Sequence, residues 1–155
     1  MKAALANGKT NLVLADDIVV TEGLEINNNV NIDGQGYAIA RSSAVMTYVA
    51  EAAAVYTGAV FTVKTGNTLT LEDVVVDGGA VWTGEINEVL QRGTVNTGVT
   101  ATGALVVTEK NARIVLNDGA ILQNNDGANA VNLGTRVGAT LTINGGEIIN
   151  NHSTA

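Results

Sequence analysis

AVNLGTRVGATLTINGGEIINN, residues 130–151, decides how the chain is read, because an earlier stretch repeats its grammar. That earlier stretch, RIVLNDGAILQNNDG, begins at Arg113. Ile114 matches Leu141, Leu116 matches Ile143, Gly119 matches Gly146, Ile121 matches Ile148 and Asn124 matches Asn151, all at a step of 27 residues. Five matched positions without a slip define an internal repeat, and a period of about 20 to 50 residues belongs to solenoids, propellers and arrays. Nearer the start, Leu24-Glu25-Ile26 and Val30-Asn31-Ile32 alternate apolar with polar, the two-residue period of a half-buried strand. The expected fold is all-β: a parallel β-solenoid of about five coils, forming one domain over residues 1–155.

Such a coil cannot bury its own apolar face. It leans on the next one, about 4.8 Å away, through parallel backbone ladders. Equivalent side chains then lie over one another. Leu69 aligns with Ile114 and Leu141, and Leu71 with Leu116 and Ile143, so these residues with Ile121 and Ile148 make up the expected stacked core. The step from Leu69 to Ile114 is 45, because residues 80–103 are interposed. In the strand before Gly66-Asn67, either Val60 and Thr62 or Phe61 and Val63 face inward, since a slip of one residue exchanges the faces.

The composition suits this architecture. Apolar residues make up 46% of the chain, yet only Phe61, Trp82, Tyr37, Tyr48 and Tyr56 are aromatic, so Val, Ile, Leu and Ala must fill the interior. Eighteen Gly and no Pro fit tight turns between hydrogen-bonded strands. The net charge of −7, with no two basic residues adjacent, argues against a groove for nucleic acid. With no Cys there is neither a disulfide framework nor thiol chemistry. The longest apolar stretch, Ala44 to Tyr56, is short and broken by Thr47 and Glu51, so no membrane insertion is expected. The opening MKAALANGK is too poor in apolar residues for a signal-peptide core; export would rest on a signal removed or lying elsewhere.

Three segments depart from the coil pattern. Residues 1–10 predict a short cap helix ended by Asn7-Gly8. Residues 41–58 are Ala-rich, carry Ser42 and Ser43 as caps and place Met46, Val49, Ala50 and Ala53 at helical spacing, which fits an inserted helix or ordered loop. Residues 80–103 form a long polar excursion containing Trp82, Glu85 and Glu88, the best candidates for contact with a sugar or a protein partner. The last coil shows no capping segment, which suggests a fragment of a longer protein or a subunit that stacks on another copy.

Candidate chemistry is sparse. Asn124 and Asn151, one repeat apart at a turn, are expected to form a structural asparagine ladder between coils. Gly119 and Gly146 serve the bend. Asp16-Asp17, Glu72-Asp73 and Asp77 lie near turns, but calcium needs six to eight oxygens from a dense cluster. They read as solvated turn acids, and neither metal nor cofactor is expected. His152, the sole histidine, lies three residues from Ala155 and reads as a frayed terminus; Asn151-His152-Ser153 matches a short glycosylation pattern.

LTINGGEIINN, LTLEDVVVDGG, IVLNDGAILQNN and NVNIDGQGYAI together resemble the repeats of right-handed parallel β-helix surface proteins, the pectin-lyase-like adhesins of anaerobic Gram-positive bacteria. The resemblance covers most of the chain outside the two excursions and implies a secreted or cell-surface module. Hydrolases of that architecture carry several Asp on consecutive coils and a Gly-His-Gly segment, which this sequence lacks. Its lyases place an Arg or Lys beside calcium-binding acids, whereas Arg41, Arg92, Arg113 and Arg136 stand beside no such cluster. A superfold hosts many activities, so the site must decide. The leading expectation is a non-catalytic structural or adhesive module, whose partners are neighbouring coils, other copies of itself or a host or cell-wall glycan. A carbohydrate-active enzyme or sugar-binding relative comes second and a self-stacking fibre subunit third. The Thr residues form no regular Thr-x-Thr array, which leaves an ice-binding face a distant fourth.

Overall fold

The computed structural model describes residues 1–41, 59–80, 82–87, 92–95, 103–133 and 137–153. The chain opens with helix α1 (Lys2–Ala6) and then enters strands β1 (Asn11–Val13), β2 (Ile18–Val20) and β3 (Leu24–Ile26). Next come β4 (Val30–Asp33), β5 (Ala38–Arg41), β6 (Phe61–Val63), β7 (Thr68–Glu72) and β8 (Val75–Asp77). β9 (Trp82–Asn87) and β10 (Arg92–Val95) are followed by β11 (Val106–Thr108), β12 (Arg113–Leu116) and β13 (Ile121–Gln123). The last five are β14 (Asp126–Gly127), β15 (Val131–Asn132), β16 (Thr140–Ile143), β17 (Glu147–Ile149) and β18 (His152–Ser153).

Most of these strands are parallel and lie in three stacked sheets. The first has the order β1-β4-β7-β12-β16, the second β17-β13-β8-β5-β2 and the third β15-β11-β6-β3. The chain visits them in rotation, first, second, third and again first, an arrangement consistent with a parallel β-solenoid. Within residues 80–103, β9 and β10 pair antiparallel with each other in a two-stranded sheet apart from the three stacked ones. Arg41 closes β5, while the helical reading of 42–58, Met46 included, lies outside the described residues.

Register follows the aliphatic pattern. In the first sheet Val30, Leu69, Ile114 and Leu141 are partners in a column, and Ile32, Leu71, Leu116 and Ile143 form the next. Polar neighbours such as Asn31, Thr70 and Thr142 alternate with them. In the third sheet Phe61 and Val63 are wholly buried and Thr62 between them only half-buried, which sets Phe61 and Val63 on the inward face of β6; Val60, just before the strand, is buried as well. α1 tops the first coil, with Leu5 packed into the same core and Gly8 at φ +72° just beyond the helix.

The second sheet corrects two of the expected pairs. Ile121 stands opposite Glu147 and Leu122 opposite Ile148, a step of 26 rather than 27. The cause is the turn between the first and second sheets. It takes residues 117–120 in one coil and only 144–146 in the next. The inward residue is therefore Leu122, fully buried, while Ile121 sits between core and solvent. Gly146 matches Ala120 rather than Gly119, its neighbour Glu147 donating its N–H to the Ala120 carbonyl. A Cβ on Gly146 would stand 2.7 Å from Leu116 Cβ and 2.8 Å from the Ala120 carbonyl oxygen.

Close approach is tighter still at Gly34, where a Cβ would run into the Asp73 carbonyl and the Val74 side chain of the next coil. Neither can swing aside. Gly34→Ala is expected to cost about 1–3 kcal/mol through forced separation of the two coils, read as a lower urea midpoint. An unchanged midpoint would mean that the coils part there without strain.

Candidate functional site

The polar side chains gather at the corner where the chain leaves the second sheet. β5, β8, β13 and β17 run side by side, so the residues that follow their inward Ile39, Val76, Leu122 and Ile148 arrive there together. Arg41 is two residues beyond Ile39 and so points inward by strand alternation; it is only 3% exposed. Its Nη1 donates to Asn125 Oδ1 at 2.9 Å, and Nη2 donates to the carbonyls of Gly103 at 3.1 Å and Ala104 at 3.0 Å. A planar guanidinium suits this task because its fixed fork satisfies several acceptors at once.

Asn125 is fully buried and links four parts of the chain. Besides receiving Arg41, it donates Nδ2 to the Ala128 carbonyl at 2.8 Å. Its backbone N–H donates to Asn151 Oδ1 at 2.9 Å, and its carbonyl accepts the His152 N–H at 2.8 Å. Asn151 Nδ2 in turn donates to the carbonyls of Leu122 at 2.9 Å and Ile149 at 2.7 Å. The asparagine ladder therefore joins Asn151 to Asn125 rather than to Asn124. Asn124 and Asn150 instead take the left-handed backbone, at φ 56° and 51°. Asn124 donates its Nδ2 to Asp77 Oδ2 at 2.7 Å, beside Gln123 Nε2 at 3.0 Å.

His152 is not frayed. It forms β18 against β14, and its Nδ1 lies 2.7 Å from Oδ1 of Asp126, a carboxylate only 9% exposed. A carboxylate on Nδ1 fixes the ring's orientation and leaves Nε2 as the remaining ring nitrogen. The glycosylation pattern fares differently, because the Asn151 amide that would carry a sugar is already tied to two carbonyls.

The turn acids cap backbone. Asp17 Oδ1 accepts the Ala38 N–H of the next coil at 2.8 Å, Asp33 Oδ1 accepts that of Gln35 at 3.0 Å and Asp77 Oδ1 that of Gly79 at 2.7 Å. Among the described residues no group of three or more acidic or His side chains is placed to share a metal ion. Trp82 and Glu85 lie on β9, and Glu88 lies outside the described residues.

A second charged column runs where the third sheet turns toward the first. Lys64 Nζ lies 2.9 Å from Glu25 Oε1 and 3.3 Å from Glu109 Oε1, bridging three successive coils. The Lys64 contact, first as a hydrogen bond and then as a charge, lowers the Glu25 pKa. Hydrogen bonds from the Thr65 N–H and hydroxyl, with Lys64 after them, lower that of Glu109. Both glutamates raise Lys64 in return. For the glutamates the contribution exists above their ordinary pKa of about 4.3 and disappears as pH falls through the lower folded values. For Lys64 it is complete below about 10.4 and disappears as pH rises through the raised value. Lys64→Met should therefore lower Tm by a small, salt-sensitive margin that is constant near neutrality and closes in acid. A margin that widened below pH 4 would contradict this assignment.

No protein-family model, no curated protein and no solved structure matches the chain.

Proposed function

We propose that the chain is a right-handed parallel β-helix acting as a non-catalytic structural and adhesive module of a bacterial cell-surface or secreted protein. The observation that carries this reading is the use made of its polar side chains. Arg41, Asp77, Asn125 and Asn151 hold coil to coil, so these polar groups are engaged in joining the stack. The repeats quoted above, with their likeness to adhesin coils, support the surface assignment.

Incubation with pectin, alginate and other polysaccharides should release no product, while immobilised cell-wall or host glycans, or a host protein, should retain the chain. Cleavage abolished by changing a single acid would overturn the proposal.

One observation favours the sugar-binding alternative. A groove of about 380 Å³ at the first sheet is lined by the uncharged hydroxyls and amides of Thr10, Asn11, Asn29, Asn31, Thr68 and Thr70, together with Val30. That lining suits a neutral saccharide. Loss of glycan retention in Thr70→Val would assign adhesion to this groove, and unchanged retention would remove it.

A further inference from the structure

The outward side of the first sheet carries a polar row that runs from coil to coil. Asn11, Asn31 and Thr70 are register partners on β1, β4 and β7. Asn31 stands between Val30 and Ile32, and Thr70 between Leu69 and Leu71, all four buried, so both side chains point away from the core. Asn11 is exposed at the start of β1. The next partner in the row is Val115, whose side chain offers no hydrogen bond. Charge lies to the sides: Asp33 pairs with Glu72 two residues further along the same strands, and Arg113 pairs with Thr68 on the opposite flank. The groove along the row is lined by neutral amides and hydroxyls.

Asn31 supplies an independent sign of a ligand. Its Oδ1 is buried with no hydrogen-bond donor among the described residues, although the residue as a whole is only half-buried. A buried acceptor costs free energy until a donor reaches it. A small turn of the amide carries this oxygen to the groove, where a ligand hydroxyl can donate to it. Amides and threonine hydroxyls both donate and accept, which matches the hydroxyls of an uncharged sugar.

Spacing gives that sugar a direction. Successive coils stand about 4.8 Å apart, close to the advance of one pyranose unit in an extended β-linked chain. An α-linked chain coils away from a straight row.

We propose that the row of Asn11, Asn31 and Thr70 binds a neutral, β-linked oligosaccharide laid along the axis of the stack, one sugar unit to each coil. The proposal rests on the sugar-binding reading of this groove and adds the orientation, length and linkage of its ligand.

Titrations with cello-, manno- and chito-oligosaccharides, followed by amide chemical shifts, test it against malto-oligosaccharides as the α-linked control. At least one β-linked series should bind, with affinity rising from disaccharide to trisaccharide and level beyond, and the control should bind more weakly at each length. Val115→Thr is nearly isosteric and continues the row. It should raise tetrasaccharide affinity about two- to tenfold, the worth of one hydrogen bond, and leave the trisaccharide unchanged. Binding that ignores length or linkage, or a Val115→Thr chain no better with the tetrasaccharide, would overturn the axial row; if that binding is still lost in Thr70→Val, the groove itself remains a sugar site. Silence toward every saccharide would overturn both.

Discussion

Arg41→Ala is expected to destabilise the chain by about 3 kcal/mol or more. The side chain is buried, and its removal strands the Asn125 Oδ1 and the carbonyls of Gly103 and Ala104, three acceptors that lose a charged donor together. A buried acceptor left without a donor costs about 1–3 kcal/mol, and the emptied volume adds to the loss. Against a total of about 5–15 kcal/mol for an ordinary domain, this one change removes a large share of the margin. Arg41→Lys should recover only part of it, since an ammonium cannot reproduce the guanidinium fork. Urea denaturation of the three forms decides the matter, and a loss under about 1 kcal/mol would show that the guanidinium does not hold the corner together.

The second large effect tests the register directly. Leu122→Ala should cost about 2–5 kcal/mol, because Leu122 is fully buried between Val76 and Ile148 in the middle of its column. Ile121→Ala, one residue away, should cost clearly less, as Ile121 sits at the boundary of the core. A constant 27-residue step predicts the reverse order. The two midpoints measured side by side therefore separate the alternatives without any need for an absolute scale.

The columns of the first sheet could be read from the sequence because inward Leu and Ile repeat there without interruption. Leu69, Ile114 and Leu141 are register partners at the steps counted from the sequence, as are Leu71, Leu116 and Ile143. The second sheet could not be read the same way. There Ile121 and Leu122 are adjacent aliphatics facing Glu147 and Ile148, and both Asn124-Asn125 and Asn150-Asn151 are doublets, so a slip of one leaves the pattern looking intact. Ladder membership, Asn125 rather than Asn124, turned on that slip. His152 reads from the sequence as a frayed end for a related reason: its partner Asp126 stands 26 residues earlier, off the 27-residue step. Arg41 gave no signal at all, since a lone Arg at a strand end reads as solvent-facing until the residues it reaches, 62 to 84 positions later, are known.

The bend that takes residues 117–120 in one coil and 144–146 in the next also bears on how such a chain tolerates insertion and deletion. An extra residue inside a strand would turn every following side chain of that strand to the wrong face. The same residue gained or lost at the bend is absorbed there, and the ladders on either side of it keep their partners. The molecule thus separates the places where its gene can change length from those where it cannot, and copies of such a coil can drift in size while still fitting the copy beneath.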